Sequence, residues 1–89
     1  MDKAEFTRRT SAHAEQLYRV SWSILRNDHD CEDAVQEALM RAWQKLHTLR
    51  RKEYFETWLT RILINECYTL LRRRRRAVPL DEVPEPVAP

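Results

Sequence analysis

The chain has 89 residues, 43% of them apolar and 34% charged, a balance typical of one small soluble globular domain. It contains no glycine, which argues against the glycine-rich loops that bind nucleotide phosphates, and no run of about 18 apolar residues that could span a membrane. The charged N-terminus lacks the apolar stretch of a signal peptide, and two cysteines are too few for a disulfide framework. We therefore expect a cytoplasmic protein with free thiols.

The net charge of +2 conceals a segregation of charge along the chain. Residues 1–48 contain seven basic and eight acidic side chains, residues 49–76 nine basic and three acidic, and residues 77–89 three acidic and no basic ones. Contact with a polyanion, if there is any, is therefore expected within residues 49–76.

Apolar residues recur at spacings of three and four, which predicts three amphipathic helices and no strand. The first helix is expected from about Lys3 to Arg26, the second from about Cys31 to His47, and the third from about Tyr54 to Arg75. Asn and Asp residues within positions 27–30 supply caps for the second helix.

The remaining segments connect or follow these helices. Thr48 to Glu53 form a short basic connection, and Val78 to Pro89 contain four prolines and no helical period, which is typical of an extended or disordered linker. The sequence therefore predicts an all-α fold. A compact three-helix bundle is expected over residues 1–76, followed by a Pro-rich acidic C-terminal linker over residues 77–89.

The predicted second helix has a polar face that includes one large apolar residue. Val35, Leu39, Ala42 and Leu46 cluster on one side, flanked by Ala38 and Trp43. Opposite them lie Asp33, Gln36, Glu37, Met40 and Gln44. A solvated face is the ordinary interpretation of such a stripe, but Met40 amid carboxylates and amides favours a contact surface.

The predicted third helix carries a second stripe beside its apolar side. The apolar residues are Phe55, Leu59, Ile62, Leu63 and Leu70, and the stripe consists of Thr57, Arg61, Asn65, Tyr68 and Arg72, with Trp58 at the border. Such a mixture suits a surface that contacts phosphates and stacks on bases, but an ordinary exposed face explains the periodicity equally well. The five arginines at 72–76 point around the whole helix and supply at most non-specific phosphate affinity.

Two segments, DCEDAVQEALMRAWQKL and EYFETWLTRILINECYTLLRRRRR, together resemble region 2 of bacterial extracytoplasmic-function sigma factors. The matching features are an Asp-x-x-Gln-Glu face on the second helix, an aromatic residue near its end, and the series Phe-x-Thr-Trp-Leu-x-Arg-Ile-x-x-Asn in the third. The resemblance covers about Leu17 to Arg76.

The resemblance implies two binding surfaces for transcription initiation. In the family, the face of the second helix docks on the clamp coiled coil of the RNA polymerase β′ subunit. This role falls on Asp33, Gln36 and Glu37, and the position of Met40 on the same face adds that residue. The loop before the third helix and its outer stripe hold the non-template strand of the minus-ten promoter element as single-stranded DNA, with one base flipped into a pocket. Trp58, Arg61 and Asn65 take this role by motif, and Arg50, Arg51, Lys52, Tyr68 and Arg72 by position and chemistry.

Three departures from the family pattern stand out. Glu56 makes the field near the base pocket less positive than in relatives. Glu66 falls inside the apolar arc of the third helix, where it needs a partner such as His13 or Arg19. The family also has a C-terminal helix-turn-helix domain that binds the minus-35 element, whereas this chain stops in VPLDEVPEPVAP, which resembles the start of the interdomain linker. We therefore expect a truncated form that does not direct full promoter recognition alone.

Other functional classes are less well supported. Asp28, His29, Asp30 and Cys31 lie where helix caps are expected, and no second pair of ligands has zinc-finger spacing, so we expect neither a metal site, nor a cofactor, nor an enzyme. The main alternative is a sigma-like decoy that binds an anti-sigma factor or polymerase without recognising DNA. An anti-sigma factor is also an expected partner of a functional sigma factor, since family members are commonly held inactive that way.

Overall fold

The structure, a computed structural model, describes the backbone of residues 1–77 and the side chains of residues 1–75. Three helices make up the fold: α1 (Lys3–Leu25), α2 (Asp28–Gln44) and α3 (Phe55–Ala77). The predicted all-α bundle of three helices is therefore confirmed. Of the predicted linker, Ala77 ends α3, and residues 78–89 lie outside the described residues.

Capping groups explain where the first two helices begin and end. The Asp2 carboxylate accepts a hydrogen bond of 2.8 Å from the backbone N–H of Glu5 at the start of α1. Arg26 adopts a left-handed conformation with φ of 56° and donates its N–H to the Trp22 carbonyl, which closes α1 without a glycine. The Asn27 side chain then caps α2 by accepting the N–H of Asp30 at 3.0 Å. Because this cap lies so early, α2 begins at Asp28, three residues before the predicted start.

The segment between α2 and α3 is more ordered than a simple loop. It contains two turns of 3₁₀ helix, Leu46–Thr48 and Lys52–Tyr54, with Leu49 partly buried against the core between them. The second helix therefore ends at Gln44 rather than near His47, and the chain continues in tighter turns.

The core lies where all three helices pack on one another. Its buried apolar members are Phe6, Leu17 and Leu25 of α1, Cys31, Ala34, Val35, Ala38 and Ala42 of α2, and Phe55, Leu59, Leu63 and Cys67 of α3. The buried face of α2 is centred on Ala38 and Ala42, whereas Leu39 and Leu46 are only partly buried and Trp43 is 44% exposed. Small side chains let the backbone of α2 approach its neighbours, so its face is rotated from the one that the large residues predicted.

The partner of Glu66 differs from the prediction. Its carboxylate Oε1 lies 2.5 Å from Arg41 Nε on α2, and the Glu37 carboxylate lies 3.4 Å from the same nitrogen. The buried Nε–H of Arg41 forms no aligned hydrogen bond with either carboxylate within the described residues. The cluster is therefore held by the attraction between opposite charges. His13 contacts Thr60 and Arg19 pairs with Glu15. Glu66 therefore bridges α3 to α2 and not to α1.

Candidate functional site

The four residues predicted to bind polymerase lie together on the outer side of α2. Asp33, Gln36 and Met40 are exposed, and Glu37 is partly exposed beside Arg41. Met40 is the apolar residue among these four, and 51% of its surface is exposed. Since the core face of α2 is centred on Ala38 and Ala42, none of the four is needed to fill the core.

A shallow groove between α2 and α3 adjoins this face. Asp33 and Glu37 line one side of it, and Glu66 and Arg73 line the other. Arg41 lies against Glu37 and Glu66, so three carboxylates and two guanidiniums, those of Arg41 and Arg73, meet at the edge of the α2 face.

The predicted stripe of α3 is exposed along its whole length. Its members are Thr57, Arg61, Asn65, Tyr68 and Arg72. Tyr68 is 47% exposed, so about half of its ring is open to a ligand. Trp58 lies half-buried at the border, with its ring centroid 6.0 Å from that of Phe55. The stripe therefore offers a cation, an amide and aromatic surface on one side of a helix.

The three loop cations lie immediately before this helix and are all exposed: Arg50, Arg51 and Lys52. Backbone hydrogen bonds hold the second 3₁₀ turn, from Tyr54 N–H to the Arg51 carbonyl at 3.2 Å and from Phe55 N–H to the Lys52 carbonyl. Tyr54, which the sequence did not single out, is 57% exposed next to these cations. In the sequence, the position of Tyr54 directly after the basic loop is the feature that could have indicated an exposed tyrosine ring.

Arg9 of α1 ties this turn to the start of α3. Its guanidinium donates to both carboxylate oxygens of Glu56, at 3.0 and 2.7 Å, and to the Lys52 carbonyl at 2.9 Å. Its guanidinium carbon also lies 5.0 Å from the centroid of the Phe55 ring. The hydrogen bonds from Arg9 hold the pKa of Glu56 below its usual value, against a smaller opposing effect of burial. Glu56 is therefore held ionised in an ion pair with Arg9 of α1, which offsets part of its charge. Its effect on the field at a base pocket stays a prediction.

The arginine run at the end of α3 is divided between two environments. Arg74 pairs with Asp30, whose side chain is only 5% exposed in the first turn of α2. Arg72 lies on the exposed stripe and donates a long hydrogen bond of 3.4 Å to the Thr69 hydroxyl. The run is thus not a uniform phosphate-binding segment, because one of its members holds α3 against α2.

The two cysteines are free and buried in the core. Burial raises the pKa of the Cys67 thiol to about 11, with smaller contributions from Cys31 and Glu66.

Within residues 1–77, no group of three His, Cys, Asp or Glu side chains is arranged to hold a metal ion. In the same part of the chain, no helix is long and apolar enough to cross a membrane.

Comparison with known proteins identifies the family. The sigma-70 region 2 family model matches residues 10–77. The ECF RNA polymerase sigma factor SigG of Mycobacterium tuberculosis is 37% identical over 78 residues, which cover 86% of this chain and 21% of that protein. SigM of the same species is 33% identical over 84 residues, covering 92% and 43% respectively. The RNA polymerase sigma factor SigV of Bacillus subtilis is 29% identical over 70 residues, covering 79% and 42%.

No solved structure matches the chain at a comparable level of significance. The chain spans between about one fifth and two fifths of the length of the relatives named above. The family match nevertheless extends over most of the chain and includes all of α2 and α3. This protein therefore belongs to the sigma-70 region 2 family and resembles, within it, the sigma factors of the extracytoplasmic-function group.

Proposed function

We propose that this chain is a transcription initiation domain that binds the RNA polymerase core and captures promoter DNA. The outer face of α2 docks on the clamp coiled coil of the β′ subunit, and the loop and stripe of α3 hold the non-template strand of the minus-ten element. The observation that carries the proposal is that the stripe of α3 stays exposed directly after three exposed loop cations. That arrangement is the one a single strand needs for phosphate contacts and base stacking.

The α2 face supports the polymerase contact through its composition. Met40 exposes half of its surface in the middle of acidic and amide side chains. A partner that covers this side chain would remove its apolar surface from water, which favours binding. The surrounding carboxylates supply charge complementarity for a partner with basic residues, which speeds encounter and fixes orientation. Asp33, Gln36 and Glu37 would then form a polar rim around the apolar contact made by Met40, as in other protein interfaces.

The polymerase contact is tested with the double variant Gln36→Ala/Glu37→Ala. Binding to core enzyme in a pull-down should fall, whereas the helical circular dichroism should not change, because neither side chain is buried. The matched control is Glu15→Ala/Gln16→Ala, which removes the same two residue types from an exposed part of α1 and should bind like the parent. Equal binding by both double variants would refute the assignment of the α2 face.

The α3 surface supports strand capture through two different kinds of group. The three loop cations neutralise phosphates and carry no sequence information. Asn65 and Trp58 can instead contact a base, by hydrogen bonds from the amide and by stacking on the indole. Arg61 lies one turn from Asn65 and can serve either purpose, since a guanidinium binds phosphate and also stacks on bases.

Strand capture is tested by separating these two contributions with labelled non-template oligonucleotides in the presence of core polymerase. Changing Arg50, Arg51 and Lys52 to Ala should weaken binding to all strands and lower the slope of log affinity against log salt by about 2. Asn65→Ala should instead reduce discrimination between a preferred and a mutated strand while leaving the salt slope unchanged. If Asn65→Ala and the loop variant change affinity and salt dependence alike, base capture by α3 is wrong and the decoy is the better account.

An anti-sigma factor is a further proposed partner. The resemblance to extracytoplasmic-function sigma factors implies this partner, since members of that family are commonly held inactive by an anti-sigma factor. A partner that covers the α2 face would compete with polymerase, so an anti-sigma factor bound there should lose affinity in the Gln36→Ala/Glu37→Ala variant as well.

A further inference from the structure

Arg9 of α1 contacts both the 3₁₀ turn that precedes α3 and the first turn of α3 itself. Its side chain is 18% exposed and reaches Glu56 with two hydrogen bonds and Lys52 with a third. A planar guanidinium with several fixed donors is suited to hold a carboxylate and a carbonyl at once, which a lysine ammonium does less rigidly.

The carbonyl that Arg9 contacts is a junction of the loop. The Lys52 carbonyl also accepts the N–H of Phe55, and Lys52 begins the 3₁₀ turn that leads into α3. Phe55 is fully buried, lies under the Arg9 guanidinium and packs against Trp58. One side chain of α1 therefore holds the backbone of the last loop residue, Lys52, and contacts Phe55, which packs against the indole at the edge of the stripe. The Lys52 side chain itself is 62% exposed, and its ammonium lies 3.9 Å from the Glu5 carboxylate.

We propose that Arg9 is a positioning residue for strand capture, which presets the basic loop and the Trp58 edge before DNA arrives. The inference rests on the proposed function and deepens it, because it assigns the arrangement of the DNA-binding loop to a residue that does not contact DNA. A loop held in place loses little conformational freedom on binding, so its preset geometry increases affinity and selectivity for a strand. A residue with only a structural role would change the stability of the bundle but not the selectivity of the folded protein.

The test compares Arg9→Lys with Arg19→Lys in the full chain. Arg19 lies on the same helix in an exposed pair with Glu15, at 2.9 Å, and provides a matched control. The probes are the strand that parent chain and core polymerase enrich from a randomised single-stranded library, and a scrambled strand of equal composition. Arg9→Lys should reduce the ratio of affinities for these two strands by about tenfold, whereas Arg19→Lys should leave it unchanged.

Hydrogen exchange supplies a readout that does not depend on DNA. Loss of the Arg9 contacts should speed exchange at the amides of Tyr54 and Phe55 by about tenfold, while amides in the middle of α2 exchange at the parent rate. The swap Arg9→Glu/Glu56→Arg restores an ion pair but removes the side-chain donor at position 9 from the Lys52 carbonyl, so neither slow exchange nor selectivity should return. Recovery of both by the swap would overturn the proposal.

The outcomes separate this inference from the proposed function. If the parent and Arg9→Lys discriminate equally while Asn65→Ala does not, Arg9 is not a positioning residue and strand capture stands. If the parent shows no preference among strands, the proposed function fails and the role of Arg9 in selectivity fails with it. Fast exchange limited to Tyr54 and Phe55, together with lost selectivity, supports both.

Discussion

Replacing Arg74 with alanine removes the cation that faces Asp30 where the end of α3 meets the start of α2. The Asp30 side chain is 5% exposed and that of Arg74 is 57% exposed. The variant therefore leaves a carboxylate that water hardly reaches without its partner. Such a carboxylate is desolvated without compensation, which destabilises the folded protein.

The size of this effect follows from the surroundings of the pair. Removing one partner from a fully buried ion pair costs about 3–5 kcal/mol. Two features reduce the cost here, because Arg74 is more than half exposed and Asp30 lies in the first turn of α2, where the helix dipole favours a negative charge. We expect a loss of about 1.5–3 kcal/mol, which is the usual value of a hydrogen bond to a charged group. In a domain of this size the melting temperature should fall by roughly 10 °C.

Urea unfolding followed by circular dichroism measures the loss, with Arg75→Ala as the control. Arg75 is the next residue in the same run, is exposed, and has no carboxylate partner within the described residues. Its removal changes the net charge equally and should shift the unfolding free energy by less than about 0.5 kcal/mol. In an Asp30→Asn background, Arg74→Ala should cost much less than in the parent. Equal stability of Arg74→Ala and Arg75→Ala would refute the assignment of Arg74 to the fold.

Three further predictions concern the core and its titrating groups. Leu63→Ala should cost about 2–5 kcal/mol in urea unfolding, and Leu39→Ala clearly less because Leu39 is only partly buried; equal losses would mean that the helix faces are wrong. Because Arg9 lowers the pKa of Glu56, their pair stabilises the fold fully above the ordinary glutamate pKa of about 4.3, and this contribution is lost as the pH falls through the lowered value. Unfolding of Glu56→Gln should accordingly depend less on pH between about pH 5 and 3. Cys67, with a pKa of about 11 and no exposure, should react with iodoacetamide only in unfolded protein, and rapid labelling of the folded chain would contradict its burial.

The helices themselves follow from local features of the sequence. Spacings of three and four predicted the number and order of the helices, and Asn27 was recognised as a possible cap. What the pattern could not give was the exact rotation of α2, since a wheel weighted by large apolar residues centres the face near Leu39 and Leu46 and leaves the fully buried Ala38 at its flank. Alanine is buried here because it permits close packing, and that requirement comes from the neighbouring helices rather than from α2 alone.

The contacts that join the helices were the least predictable part. Glu66 needed a partner, as its position in the apolar arc indicated, but periodicity does not say which neighbouring helix faces it and so does not point to Arg41. Arg74 could not be distinguished from the other arginines of the run, because only the angle between α2 and α3 brings it to Asp30. Arg9 likewise resembles Arg8 in the sequence, and its role depends on where the loop returns to α1.

The surfaces proposed to bind partners were predictable because exposure follows from the same periodicity that buries the core. The residues of the α3 stripe and of the outer face of α2 are largely exposed, as their periodicity indicated. Under the proposed function, the strand that the stripe selects would depend on the shape of the loop before α3, which tertiary contacts such as those of Arg9 help to determine.

Strand selection by the chain together with core polymerase tests the central claim most directly. A randomised single-stranded library is bound to the chain, to core enzyme, and to both, and the retained strands are sequenced. The account predicts that a defined sequence is enriched only when chain and core are both present, and that Asn65→Ala abolishes this enrichment without preventing association with core. Equal recovery of all sequences by chain and core together would contradict the account.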